Sequence, residues 1–227
     1  MKRYQAIFFD FDGVLADSMD VKTTAFAKLF EEHGPDVQQK VVDHHRRHGG
    51  MSRYDKFVHY YSEFLGRRLD QAGLDELCQR FSSLVVDEVI AAPEIPGVSR
   101  FLEKWSGEVP CFVVSATPTE EVRLIVRGRG IQRFFTDVLG SPASKADNLR
   151  SLLGKHELMA RECLFLGDAE GDYRAAMDCG VDFIGIKSKD NPHLAEKYPD
   201  VMWVSDFLEL LDDPRASKTP SQAGSPK

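Results

Sequence analysis

Residues 5–13 read Gln5-Ala6-Ile7-Phe8-Phe9-Asp10-Phe11-Asp12-Gly13. The run is almost continuously apolar to Phe9 and then stops at Asp-Phe-Asp-Gly, the pattern of a strand buried on both faces that feeds a turn. Comparable apolar runs recur at 109–114, 163–166, 182–186 and 201–204, with a weaker one at 135–139. Between them the spacing changes to that of helices. Val98, Phe101, Leu102 and Trp105 follow i, i+3, i+4, i+7, and Val122, Ile125 and Val126 repeat it. Strand alternating with helix predicts an α/β protein, a parallel sheet with helices on both faces, whose sites gather at the carboxyl ends of strands.

One stretch breaks the alternation. Between 18 and 90 the strand signal disappears and apolar residues come at helical spacing: Phe26, Leu29, Phe30; Phe57, Tyr60, Tyr61, Phe64; Leu74, Leu77, Phe81, Leu84. The spacing predicts a helical insert over 18–90, and the turn formers of Ala-Ala-Pro-Glu-Ile-Pro-Gly at 91–97 return the chain to the main unit. The main unit is then 1–17 with 91–213. The tail 214–227 lacks any large apolar residue and is expected to be disordered.

At 227 residues the chain can bury a substantial core, and its net charge of −7 argues against bulk attraction to nucleic acid or anionic membranes. A small-molecule partner fits that balance better. No apolar run approaches the ~20 residues of a membrane helix, and Met1-Lys2-Arg3-Tyr4 leads straight into the first strand, so a cytoplasmic location is expected. Cys78, Cys111, Cys163 and Cys179 lie far apart without metal-ligand spacing and are expected to be reduced, buried and structural.

Two carboxylates, Asp10 and Asp12, end the first strand, and Asp168 and Asp172 follow the run at 163–166 in Gly-Asp-Ala-Glu-Gly-Asp. A capped turn accounts for either pair alone. Hard oxygens converging from separate strands instead suit Mg²⁺, which keeps several waters and takes one or two carboxylates plus a phosphate oxygen. Asp168 is the better ligand candidate, since Asp172 can instead cap the next helix or bond Lys145. Ser115 with Ala116, after the strand at 109–114, is either a phosphate cradle or a helix cap, and Lys145, expected in a loop, is either a phosphate clamp or a solvated charge.

Asp-x-Asp, Ser, Lys and Gly-Asp-x-x-x-Asp in this order, with Phe-Asp-Phe-Asp-Gly-Val-Leu-Ala-Asp-Ser at 9–18, resemble the haloacid dehalogenase-like hydrolase superfamily over nearly the whole chain to Asp213. The resemblance implies a Rossmann-like core and a helical cap inserted after the first motif. It makes Asp10 the nucleophile of an aspartyl-phosphate, Asp12 the general acid and base, and Ser115 and Lys145 the grip on the phosphoryl group. Mg²⁺ would bind the carboxylates of Asp10 and Asp168 and the backbone carbonyl of Asp12.

Members that cleave carbon–halogen bonds or phosphonates lack the second acid of the motif, whereas this chain retains Asp12. That favours a magnesium-dependent phosphatase acting on a small phosphorylated metabolite. A sugar phosphomutase of the beta-phosphoglucomutase type is the alternative, and a catalytically silent binding protein on the same fold is the third reading. In the insert, the stretch His-His-Arg-Arg-His-Gly-Gly-Met-Ser-Arg at 44–53 is either a loop over the site, with Arg53 and Arg47 reading a second anionic group, or a solvated helix end. Tyr54, Tyr60 and Tyr61 are assigned to the insert's own packing.

Overall fold

The computed structural model of the protein describes residues 4–212. The tail 214–227, and the disorder expected of it, lie outside those residues. Six strands form one parallel sheet in the order β3-β2-β1-β4-β5-β6: β1 (Ala6–Phe9), β2 (Cys111–Pro118), β3 (Asp137–Ser141), β4 (Cys163–Gly167), β5 (Asp182–Ile186) and β6 (Met202–Val204). Each apolar run in the sequence, the weaker 135–139 included, is one of these strands.

β1 is central because both its faces are covered. Ile7 and Phe9 point to one layer with Val113, Leu164 and Leu166, while Ala6 and Phe8 point to the other with Phe112, Val114 and Phe165. Register fixes that division, with Ile7 opposite Cys111 on β2 and Leu164 on β4. Phe8 and Phe112 stack at 5.0 Å between ring centres. Each such fully buried ring contributes about 1.5–3 kcal/mol of transfer free energy, which is why the run tolerates no polar residue before Asp10.

Between β1 and β2 the chain is helical: α1 (Met19–Leu29), α2 (Pro35–Arg47), α3 (Arg53–His59), α4 (Gln71–Ala91) and α5 (Val98–Trp105). Local chemistry starts them. The Ser52 hydroxyl accepts from the Asp55 amide at 3.2 Å to begin α3, and the Asp70 carboxylate accepts from the Gly73 amide at 2.9 Å to begin α4. Phe26, Phe30, Phe57, Tyr60 and Phe81 pack together among α1, α3 and α4. At the far end of α4, one guanidinium nitrogen of Arg129 donates to the carbonyls of Val89, Ile90 and Ala92, satisfying groups the helix leaves unpaired.

The remaining helices, α6 (Thr119–Gly128), α7 (Lys145–Lys155), α8 (Glu170–Cys179), α9 (Leu194–Lys197) and α10 (Phe207–Asp212), follow the strands. Two local expectations need correction. The second strand does not end at Val114 but runs to Pro118 through an irregularity between those residues, so Ser115 and Ala116 lie within it. Lys145 is not in a loop; it is the first residue of α7, capped by Ser144, because the motif Ser-Lys-Ala-Asp lets the Ser144 hydroxyl accept from the Asp147 amide. The four cysteines are free, as expected, but only Cys111 and Cys163 are buried, since Cys78 and Cys179 sit on helix flanks.

Candidate active site

Three acids and a lysine meet where β1 and β4 end. Asp10 follows β1 directly, its amide held by the Leu166 carbonyl of β4 at 2.9 Å. Asp168 follows β4. Asp172, on the first turn of α8, reaches back so that its Oδ2 accepts from the Ala169 amide at 3.1 Å. Its Oδ1 accepts from Lys145 at 2.5 Å, so both structural roles open to it in the sequence are filled at once. Lys145 also pairs with Asp10 Oδ2 at 2.9 Å.

Ligand oxygens of Asp10, Asp168 and Asp172 lie within 4.8 Å of one another, all three residues buried. One lysine cannot balance three buried carboxylates. Burial and the neighbouring Asp172 push the Asp10 carboxyl up to about 7, although Lys145 opposes the shift. Burial, with Asp10 and Asp172 beside it, drives Asp168 well above the carboxylate range. Burial also works against the Lys145 charge, but Asp10 and Asp172 outweigh it and hold the ammonium above the ordinary lysine range. Asp10 Oδ1 and Asp168 Oδ2 are buried and accept no hydrogen bond. Two orphaned carboxyl oxygens facing one acidic crevice are a donor set that suits a hard divalent cation, whose charge would offset the crowding of acids, so these residues fit Mg²⁺.

Glycines make the approach tight. At Gly13, which has φ +78°, a Cβ would run into the Asp168 carboxylate, and at Gly167 it would overlap Asp172. The Asp-x-Asp-Gly turn therefore needs Gly13 twice, for its backbone and for the space it leaves.

Asp12 is not part of this cluster. Its side chain turns away, toward the helical segment, where Oδ1 accepts from Ser18 at 2.6 Å and Oδ2 accepts from Lys22 at 2.5 Å and Thr117 at 3.1 Å. Burial alone raises the Asp12 carboxyl, but Lys22, Ser18 and Thr117 outweigh it and hold it below the carboxylate range. Ser115 is buried, its oxygen accepting from the Thr117 amide at 3.1 Å. With Ala116 and Lys145 it lines an open cavity of about 380 Å³, which shares Lys145 with the crevice.

Arg53 is 5% exposed and lies against a second, small cavity that also borders Asp12. Its guanidinium is bound to both Glu121 carboxylate oxygens and donates to Ser82 at 2.8 Å, with the Phe81 ring centre 4.6 Å away. Arg47 borders a separate open cavity with His48 and Arg174. Lys22, Thr117 and Lys56, which the sequence did not single out, and His45 of the 44–53 stretch are all buried around Asp12 or beside Arg53. One signal was present: Lys22 falls between Met19 and Phe26 at i+3 and i−4, and Lys56 precedes Tyr60 by four, so both are cations on apolar helix stripes.

A parallel α/β sheet with a buried carboxylate cluster and a lysine at its strand ends is the arrangement expected of the hydrolase superfamily that the motifs resemble. The family model for haloacid dehalogenase-like hydrolases matches residues 7–186. The chain belongs to that family, in its phosphatase and phosphomutase branch. It is similar to a phosphoglycolate phosphatase of Haemophilus influenzae (strain 86-028NP), 28% identical over 221 residues, covering 92% of this chain and 97% of the relative. A phosphoglycolate phosphatase of Pasteurella multocida is 27% identical over 223 residues, covering 93% and 98%. Among solved structures, a haloacid dehalogenase-like family protein from Streptococcus pneumoniae superposes with TM-score 0.70 at 26% identity, over 93% of this chain and 98% of that one. A beta-phosphoglucomutase from Clostridium difficile shares the fold, with TM-score 0.74 at 18% identity over 91% and 93%. Among the described residues, no helix is long and apolar enough to cross a membrane.

Proposed function

We propose that the protein is a magnesium-dependent phosphatase that hydrolyses a small phosphorylated metabolite through an aspartyl-phosphate on Asp10. The observation that carries this reading is the pair of orphaned oxygens, Asp10 Oδ1 and Asp168 Oδ2, beside a charged lysine at the strand ends. Asp10 and Asp168, with the Asp12 carbonyl, would hold Mg²⁺, which when bound offsets phosphate charge and polarises the phosphoryl oxygens.

The Asp10 carboxylate attacks phosphorus, while Lys145, 2.9 Å from its Oδ2, lowers the repulsion between carboxylate and phosphate. Asp12, held ionised by Lys22, Ser18 and Thr117, first takes up the proton of the ester's monoanion; as the new bond to Asp10 forms, the bond from phosphorus to the alcohol oxygen breaks and Asp12 passes that proton to the oxygen. Asp12 then takes a proton from the water that attacks phosphorus, the Asp10–phosphorus bond breaks, and inorganic phosphate leaves. Ser18, Lys22 and Thr117 hold Asp12 in its ionised form, the form the second step uses. Ser115 and Lys145 grip the phosphoryl oxygens from the open cavity, and the helices of 18–90 serve as the cap that covers the alcohol side.

The relatives' names put phosphoglycolate first in a substrate panel. The test is phosphate release from phosphorylated metabolites with Mg²⁺ and with EDTA, alongside glucose 1-phosphate isomerisation. Magnesium-dependent release from one substrate class supports the reading. Isomerisation without net release would move the chain to the mutases, and silence throughout would sink the enzymatic reading.

A further inference from the structure

Lys56 of α3 is 2% exposed and lines the small cavity beside Asp12 with Lys22, Arg53, His45 and the rings of Phe26 and Phe81. Lys22 is paired with Asp12 and Arg53 with Glu121, but among the described residues no carboxylate forms an ion pair with Lys56. Its Nζ lies 2.8 Å from His45 Nδ1 and 5.5 Å from the centre of the Phe26 ring. A buried ammonium hemmed in by other cations sheds its proton. Burial first, then Lys22, with Lys145 and Arg53 adding to it and Asp12 opposing, drives Lys56 well below the lysine range. Burial, with Lys56 and Lys22 beside it, holds His45 well below the histidine range as well. Two neutral groups therefore face each other. With the imidazole proton on Nε2, His45 Nδ1 accepts from the Lys56 amine and leaves the amine its lone pair. A desolvated amine beside cationic groups is an activated nucleophile.

Such an amine reacts only with what can reach it. The cavity holds about 30 Å³, room for roughly two water molecules, so the partner is a small, uncharged electrophile that can cross an aromatic wall. Any anion formed there would face Lys22 and Arg53, which line the same space. We propose that Lys56 is a site of reversible carbamylation by carbon dioxide, with its carbamate seated in this cavity beside Lys22 and Arg53. In the step, the Nζ lone pair forms a bond to the carbon of CO₂, and the electron pair of one C=O bond moves onto its oxygen. Nζ gives one proton to His45 Nδ1 and keeps one, so a neutral amine and a neutral imidazole become a carbamate anion and an imidazolium, with nothing oxidised or reduced. The new anion stands where the Lys56 charge opposed protonation of His45, and it stabilises the imidazolium at close range in a medium of low dielectric. Removal of CO₂ returns the proton to Nζ and breaks the nitrogen–carbon bond.

The experiment is ¹³C NMR of the full chain in buffer equilibrated with ¹³C-labelled bicarbonate and CO₂, in the wild type and in Lys56→Met. The wild type should show a protein-bound carbamate resonance that Lys56→Met lacks and that disappears when the buffer is purged of CO₂. Identical spectra for the two proteins overturn the proposal, since any carbamate then sits on other amines. A second measurement needs no variant. Triethyloxonium ion ethylates carbamate oxygens, and peptide mass spectrometry of the treated wild type should find an ethoxycarbonyl group on the peptide that carries Lys56. Ethoxycarbonyl groups confined to other peptides, or none at all, overturn the proposal.

Discussion

The crevice at the strand ends and the cavity under the helices are both buried, yet their charges are met differently. In the crevice, Asp10, Asp168 and Asp172 share Lys145, and two carboxylate oxygens are left without partners. In the cavity, Lys22 and Arg53 have carboxylates while Lys56 has only a neutral imidazole. Asp12 stands between them, its backbone in the acidic turn and its side chain among the cations. Unmatched buried charge is expensive, and the acidic excess of the crevice is of the kind that a cation offsets.

The largest effect should come from the acidic side. Asp10→Asn keeps the shape of the side chain but removes the nucleophile, and turnover should fall about 10⁴-fold or more with circular dichroism unchanged. Retained activity would transfer the nucleophile to another acid. EDTA should likewise abolish turnover and Mg²⁺ should restore it, while Mg²⁺ at a hundred times its Kd should raise unfolding stability by about 3 kcal/mol. A melting temperature indifferent to Mg²⁺ would break the claim that the orphaned oxygens form a cation site.

Asp12→Asn comes next, with a loss of about 10²–10⁴-fold in kcat. It should also lower stability, because Lys22 then loses the carboxylate it faces at 2.5 Å. The two lysines divide the comparison most directly. Lys145→Met leaves two carboxylates uncompensated and should cost about 3–5 kcal/mol in a denaturant titration. Lys56→Met removes a buried amine that faces no carboxylate and should raise the melting temperature of the unliganded protein. Equal losses in both variants would erase the distinction between the two sites.

The smallest effect concerns the outer layer of the helical segment. His44 stacks on His48 and His59, its Nδ1 is 3.3 Å from the Tyr60 hydroxyl, and burial together with those imidazoles pushes its pKa down to about 3. An unfolded histidine titrates near 6.5, so the folded chain binds fewer protons over this window. Stability should be fully present above about pH 6.5 and decline as pH falls toward 3, with a shallower decline in His44→Gln measured by thermal unfolding across that range. A steeper decline in the variant would remove His44 from the account.

Local sequence carried much of the architecture. Apolar runs ending at Asp-Phe-Asp-Gly and Gly-Asp fix strands and their turns because a two-residue period and a glycine's conformational freedom are properties of a few adjacent residues. Helix starts such as Ser144 and Asp70 are equally local, although Lys145 looked like a loop residue because serine and proline precede it.

The order of Asp10, Asp12, Ser115, Lys145 and Asp168 along the chain was enough to name the chemistry to be tested. What tertiary structure alone decided is who pairs with whom. Arg53 and Lys56 lie three residues apart on one helix, and in sequence either is an equally good reader of an anion. Folding brings Glu121, 68 residues away, onto Arg53, while among the described residues no carboxylate forms an ion pair with Lys56, whose amine contacts His45 instead. Asp12 is drawn to Lys22 and away from the carboxylates it neighbours in sequence by the same long-range choice. Electrostatic energy falls with distance in space, and only the packed chain sets that distance.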